Sequence, residues 1–167
     1  KHLTRTSILS GGFPHYVHLI AESLFWAMFD DEEIVDIATD EHFRTAVKGA
    51  LERTEVEHKS SYRKATEKTK NTKDYEYALW ALADRTETRR QLSSIYDDSY
   101  RRIATGDDRM DRNQLNQRLL TLRSPAHASV VIGYGSGWFA FRETIMRGYV
   151  RLVAEDRGIQ LARDLSQ

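Results

Sequence analysis

The stretch Ala128-Ser129-Val130-Val131-Ile132-Gly133-Tyr134-Gly135-Ser136-Gly137-Trp138-Phe139-Ala140-Phe141 departs from the helical texture of the rest of the chain. Its first half is rich in β-branched residues and Trp138 to Phe141 is aromatic. Gly135-Ser136-Gly137 lies between them as a turn. That combination predicts a β-hairpin. The hairpin decides the fold through what surrounds it, because helical patterns precede it and one more follows.

Working back from it, Leu115, Leu119, Leu120 and Leu122 mark a helix that ends before Pro125. Gly106 to Asp108 reads as the turn before that helix. Leu92, Ile95, Tyr96, Ser99 and Ile103 mark an earlier helix, with Thr88 and Gln91 spaced as a capping box at its start. Tyr77, Leu79, Trp80, Leu82 and Ala83 form a short apolar helix before it. Downstream of the hairpin, Ile145, Tyr149, Leu152 and Val153 line the inner face of a last helix that Gly158 can stop. Three helices, a hairpin and a closing helix are the order of a winged helix-turn-helix, with the third helix presented outward and the hairpin as wing.

The first 70 residues read as a separate helical unit. Pro14 suits a first helical position, since that amide has no intrahelical partner. Val17, Ile20, Ala21, Leu24, Phe25 and Met28 then recur at three- and four-residue steps, which predicts one buried stripe. The acidic run Asp30 to Glu33 ends that helix. A second helix starts near Thr39 or Asp40 with Phe43, Ala46, Val47, Ala50, Leu51 and Thr54 inward. Glu55 to Lys73 is almost wholly polar and reads as a solvated extension of that helix or a mobile linker. The expected fold is mainly α: a helical lid-like domain over 1–70, then a winged helix-turn-helix with a small hairpin wing over 71–167.

Composition limits the function. The 167 residues balance 25 Lys+Arg against 25 Asp+Glu, and 40% hydrophobic content suffices for a core. Charge is uneven: 11 basic and 15 acidic residues precede Arg85, while 14 basic and 10 acidic follow Asp84. Leaving histidine aside, every basic residue in the second part is arginine, which makes it the better candidate for an acidic partner. Leu24 to Phe29 and Tyr77 to Ala83 are the longest apolar stretches, far short of the ~20 residues a bilayer span needs, so no membrane partner is expected. Zero cysteines exclude disulfides, thiolate zinc sites and a cysteine nucleophile, and the cytoplasm is the expected setting. Lys1 in place of an initiator methionine suggests a portion of something longer.

Ser10-Gly11-Gly12-Phe13-Pro14-His15-Tyr16-Val17-His18-Leu19-Ile20 resembles the Gly-x-Pro segment that opens a lid helix in P-loop ATPases of the AAA+ and STAND (signal-transduction) groups. Trp138 to Val150 looks like the winged-helix end of the same proteins and of replication-initiator ATPases. The resemblance implies that Gly12 and Pro14 lie beside a bound ATP or ADP held by a core outside this chain. Where AAA+ lids often place a phosphate-sensing arginine, this chain has His15 and Tyr16, and a neutral His15 could donate one weaker hydrogen bond. No Gly-x-x-x-x-Gly-Lys-Ser/Thr motif occurs, so this chain alone should not hydrolyse ATP. The implied role is regulatory, coupling the nucleotide state of that ATPase core to DNA or a protein partner. The alternative is a stand-alone dimeric winged-helix transcription regulator, and a third reading is a structural helical adaptor.

No catalytic constellation emerges. His15, His18 and Glu22 have metal-compatible spacing, and Glu55 with His58 matches half of a di-iron pattern, but no second Glu-x-x-His exists, and no metal site is expected. No Gly-x-Ser-x-Gly elbow occurs either. The helix from Asp111 to Arg123 is the candidate DNA reader. Arg112, Asn113, Asn116, Gln117, Arg118 and Arg123 become available once its leucines turn inward, and arginine reads guanine while Asn or Gln reads adenine. Against strong DNA binding, the wing from Gly133 to Trp138 has no Lys or Arg, and six acids sit among the nine arginines from Arg85 to Arg123.

Overall fold

Pro14 starts a helix as its fixed φ requires, and the last helix stops two residues before Gly158, so the strongest local signals are honoured. The computed structural model describes residues 1–32, 34–67, 70–106 and 109–162. Glu33 of the acidic run, Lys68 and Thr69 of the polar stretch, and Asp107 and Asp108 of the expected turn lie outside the described residues, as do 163–167.

The elements are α1 (His2–Ser10), α2 (Pro14–Phe29), α3 (Asp40–Arg53), α4 (Val56–Thr66), α5 (Thr72–Ala83), β1 (Arg89–Gln91), α6 (Leu92–Ser94), a π-helical turn Ile95–Tyr100, α7 (Arg101–Ile103), α8 (Arg112–Thr121), a 3-10 turn Pro125–His127, β2 (Val131–Gly133), β3 (Trp138–Phe141) and α9 (Thr144–Asp156). The fold is mainly helical with a small antiparallel sheet in the order β1-β3-β2. The hairpin forms where expected: Val131 pairs with Phe141 and Gly133 with Phe139. Gly135, Ser136 and Gly137 all take positive φ, which explains two glycines in one tight turn.

Three expectations change, and one element was not anticipated. The stripe on α2 is rotated: Tyr16, Ile20 and Ser23 are buried, while Val17, Ala21 and Phe25 face outward. An apolar repeat marks a face, but the packing of α2 on α1 and α3 decides which face turns in. The polar stretch after α3 is neither its extension nor a loose linker. Thr54 and Glu55 leave helical geometry, and α4 then buries His58, Tyr62, Ala65 and Thr66. His127 fixes α4 from outside by donating Nδ1–H to the Ala65 carbonyl at 2.7 Å. Thr88 and Gln91 form no capping box; Arg89–Gln91 is the third strand, paired with β3. Finally, α1 had no sequence expectation, yet it buries Ile8 and Leu9.

The core is organised around α9, whose residues from Met146 to Ala154 are all buried. It lies against α1, α3, α4, α5 and β3. Two of its buried residues are arginines. Arg151 donates to the carbonyls of Ala83 at 2.8 Å, Ile8 at 2.7 Å and Arg85 at 2.7 Å. Carbonyls at helix C-termini lack intrahelical donors and carry partial negative charge, so a guanidinium there is satisfied without a carboxylate. Burial pushes the Arg151 pKa down to about 10, with Arg147 adding to that and Asp84 opposing it. Arg90 serves the same helix end from β1, with Nη1 on the Ala81 carbonyl at 2.5 Å. Asp84, next in line, accepts from Ser99 Oγ at 2.7 Å, from the Ala162 amide at 2.9 Å and from Arg102.

Candidate functional site

α8 is built as its sequence specifies. Asp111 Oδ1 accepts from the Gln114 amide and Gln114 Oε1 accepts from the Asp111 amide, both at 2.8 Å, a complete capping box. Leu115 and Leu119 are buried, and α8 packs on α5, α6 and β2. This leaves Asn113 and Gln117 exposed and Asn116 half-buried.

The arginines expected on α8 do not act as a group. Arg112 pairs with Asp97 at 2.8 Å and sits over the Tyr96 ring. Arg118 turns toward α5, where its Nε and Nη2 donate to Asp74 Oδ2 at 3.1 and 2.9 Å and its guanidinium lies over Tyr75. Their field is thus locally neutralised. Arg123, just past α8, is placed differently: its guanidinium lies across Gly133, where an added Cβ would come within 3.1 Å of it.

Arg123 belongs instead to the sheet. A hollow of about 390 Å³ is lined by Leu120, Arg123, Ser124, Val131, Ile132, Gly133 and Arg142. A neighbouring hollow of about 240 Å³ shares Ile132 and Arg142 and adds Arg89, Tyr134 and Arg147 among its walls. Among the described residues lining the two, four are arginines and none is a carboxylate. Glu87 lies close enough to Arg147 to favour its charge, against burial, which lowers the Arg147 pKa. Arg147 donates Nη1 to the Thr86 carbonyl at 2.7 Å, while its buried Nε has no acceptor.

Once the sheet forms, a cation stands beside the hairpin. Arg89 stacks on Tyr134 at 4.0 Å from the ring centroid. Arg89 aligns with Ala140 of β3, which aligns in turn with Ile132 of β2. The half-exposed Tyr134 and Trp138 flank this row, while Phe139 is buried in the core. Arg89 escaped the sequence reading because β1 itself did. The signal available was the Arg89-Arg90 pair, one exposed and one buried, as alternation in a strand demands.

The residues implied by the ATPase resemblance sit elsewhere. Gly12, Pro14 and His15 are exposed at the start of α2, and the Gly12 amide donates to Ser10 Oγ at 3.3 Å. His58 is buried against the rings of Tyr16 and Tyr149, and His15 and His18 are exposed. Among the described residues, no three His, Asp or Glu side chains gather where they could hold a metal ion, and no helix is long and apolar enough to cross a membrane. No protein-family model, curated protein or solved structure matches this chain.

Proposed function

We propose that the chain is a nucleic-acid-binding module of winged-helix type, which contacts duplex DNA through the arginine-lined face of its sheet and the adjoining end of α8. One observation carries this reading: the two joined hollows beside β2 collect Arg89, Arg123, Arg142 and Arg147 with no carboxylate among their described lining residues. Of these, Arg89, Arg123 and Arg142 are exposed, and arginines placed this way neutralise phosphates and make affinity strongly salt-dependent. The order helix, strand, helix, helix, hairpin from α5 to β3, with β1 on the outer side of β3, supports the winged-helix assignment. Asn113 and Gln117 are the exposed amides that would reach base edges. Coupling of this surface to an ATP-binding core, which the Gly-x-Pro resemblance implies, would act through Gly12 and Pro14 at the start of α2.

The test is fluorescence anisotropy of a labelled duplex at low and raised salt. Binding should weaken steeply with ionic strength, and Arg89→Ala/Arg123→Ala should reduce the slope of log affinity against log salt by about 2. Arg44→Ala, at an exposed position of α3, is the control and should leave the slope unchanged. Absence of salt-sensitive binding, or equal effects of both variants, would overturn the assignment.

A further inference from the structure

The outward face of α2 carries a second observation, independent of the nucleic-acid reading. Phe25, Trp26 and Phe29 are 58%, 48% and 69% exposed, and their rings pack on one another with centroids 5.4 to 6.1 Å apart. The loop after α2 adds Ile34 and Ile37, 99% and 81% exposed, and Val17 extends the same apolar face toward the start of the helix. With a large side chain presenting ~150–250 Å² when bare, these six expose on the order of 700 Å². That exceeds the ~300–600 Å² of the largest patch on an ordinary monomer and approaches the ~800 Å² that each partner contributes to a standard interface.

We infer that this face is the two-fold interface of a homodimer, with α2 packed antiparallel against α2 of a second copy. Charge selects both the occupant and the direction. The N-terminus of α2 is the positive end of the helix dipole, while its C-terminal end leads into Asp30 and Glu32. Antiparallel apposition sets the first against the second twice over, as an isologous contact must, whereas parallel apposition sets like against like. Glu22, near the helix midpoint, is neutralised by Arg53 of α3 at 2.7 Å, so two copies can meet there without bare carboxylates. A lipid surface is the poorer occupant, because α2 has no Lys or Arg and the acidic run is repelled by anionic headgroups.

Sedimentation equilibrium of the full chain, from low micromolar to near-millimolar concentration, should show a monomer-dimer equilibrium. Phe25→Ser/Phe29→Ser should lower the high-concentration mass about twofold with an unchanged far-UV spectrum. Because the chain has no cysteine, Ala21→Cys near the two-fold axis should yield an oxidised, disulfide-linked dimer, and Ser60→Cys, at an exposed position of α4, should not. The crosslink decides the matter even where the double serine variant does not fold. A monomer at every concentration, a dimer that survives the serine substitutions, or a monomer that co-sediments with anionic vesicles would each overturn the inference.

Discussion

Arg151 and Ile8, 143 positions apart, are joined by a hydrogen bond of 2.7 Å from the guanidinium to the last-turn carbonyl of α1. The same guanidinium holds Ala83 and Arg85, so one side chain of α9 closes the C-terminal ends of α1 and α5 together. Arg151→Met keeps most of the volume but strands three carbonyls. Each stranded buried acceptor costs about 1–3 kcal/mol, so a loss of ~3 kcal/mol or more is expected, or roughly 10 °C in Tm by calorimetry. Arg151→Lys should recover only part, since an ammonium cannot span three directions with a planar fork.

Gly148 lies on α9 where a Cβ would come within 2.7 Å of the Tyr16 ring and 3.0 Å of the Ser10 carbonyl. Helix propensity alone favours Gly148→Ala by about 1 kcal/mol, whereas overpacking against a ring and a backbone atom costs ~1–3 kcal/mol. Net destabilisation in urea unfolding is the expected outcome. The companion variant Tyr16→Phe should be neutral or stabilising by ~1 kcal/mol, because the buried Tyr16 hydroxyl has no partner.

Tyr16 and Tyr62 set the alkaline limit. Burial, reinforced by Tyr149 and Glu55 for the first and Glu76 for the second, raises both phenols above the ordinary value. In the unfolded chain they ionise near ~10, while in the fold they stay protonated. The unfolded state then binds fewer protons, and stability falls as pH climbs past that value. Urea midpoints at pH 8 and above pH 10 should diverge, and less so in Tyr62→Phe.

Asp84 sets an acid limit of opposite sign. Burial raises its pKa, but the Ala162 amide, Ser99 and Arg102 outweigh that and hold the carboxyl below its usual range. Its contribution is therefore present above the unfolded value of about 4 and is lost as pH falls through the lower folded value. Asp84→Asn should be destabilised by ~2 kcal/mol at neutral pH, and the gap to wild type should shrink in acid.

Replacing Asp111 with alanine removes the side-chain half of the α8 capping box and should cost about 1 kcal/mol. Chemical denaturation reports the loss, and the duplex anisotropy above should be unaffected in its salt slope if the sheet arginines carry the phosphate contacts.

What the sequence determined by itself are the features whose causes lie within a few residues. Pro14 opens α2, Thr39 and Asp111 cap α3 and α8, and Gly135-Ser136-Gly137 turns the hairpin, since each follows from local φ preference or a side chain reaching its own backbone. Tertiary structure decided the features whose partners are remote. β1 is a three-residue Arg-Arg-Gln strand only because the free edge of β3 accepts it, and α4 is a packed helix only because α5, α9 and the turn at His127 cover its few apolar residues. The inward side of α2 was set by the surfaces of α1 and α3 rather than by its own repeat. The arginines divide the same way: sequence showed their number, but whether each meets a carbonyl, a carboxylate or an open hollow depends on chain segments brought together from up to 156 positions away, as Arg5 and the Leu161 carbonyl are.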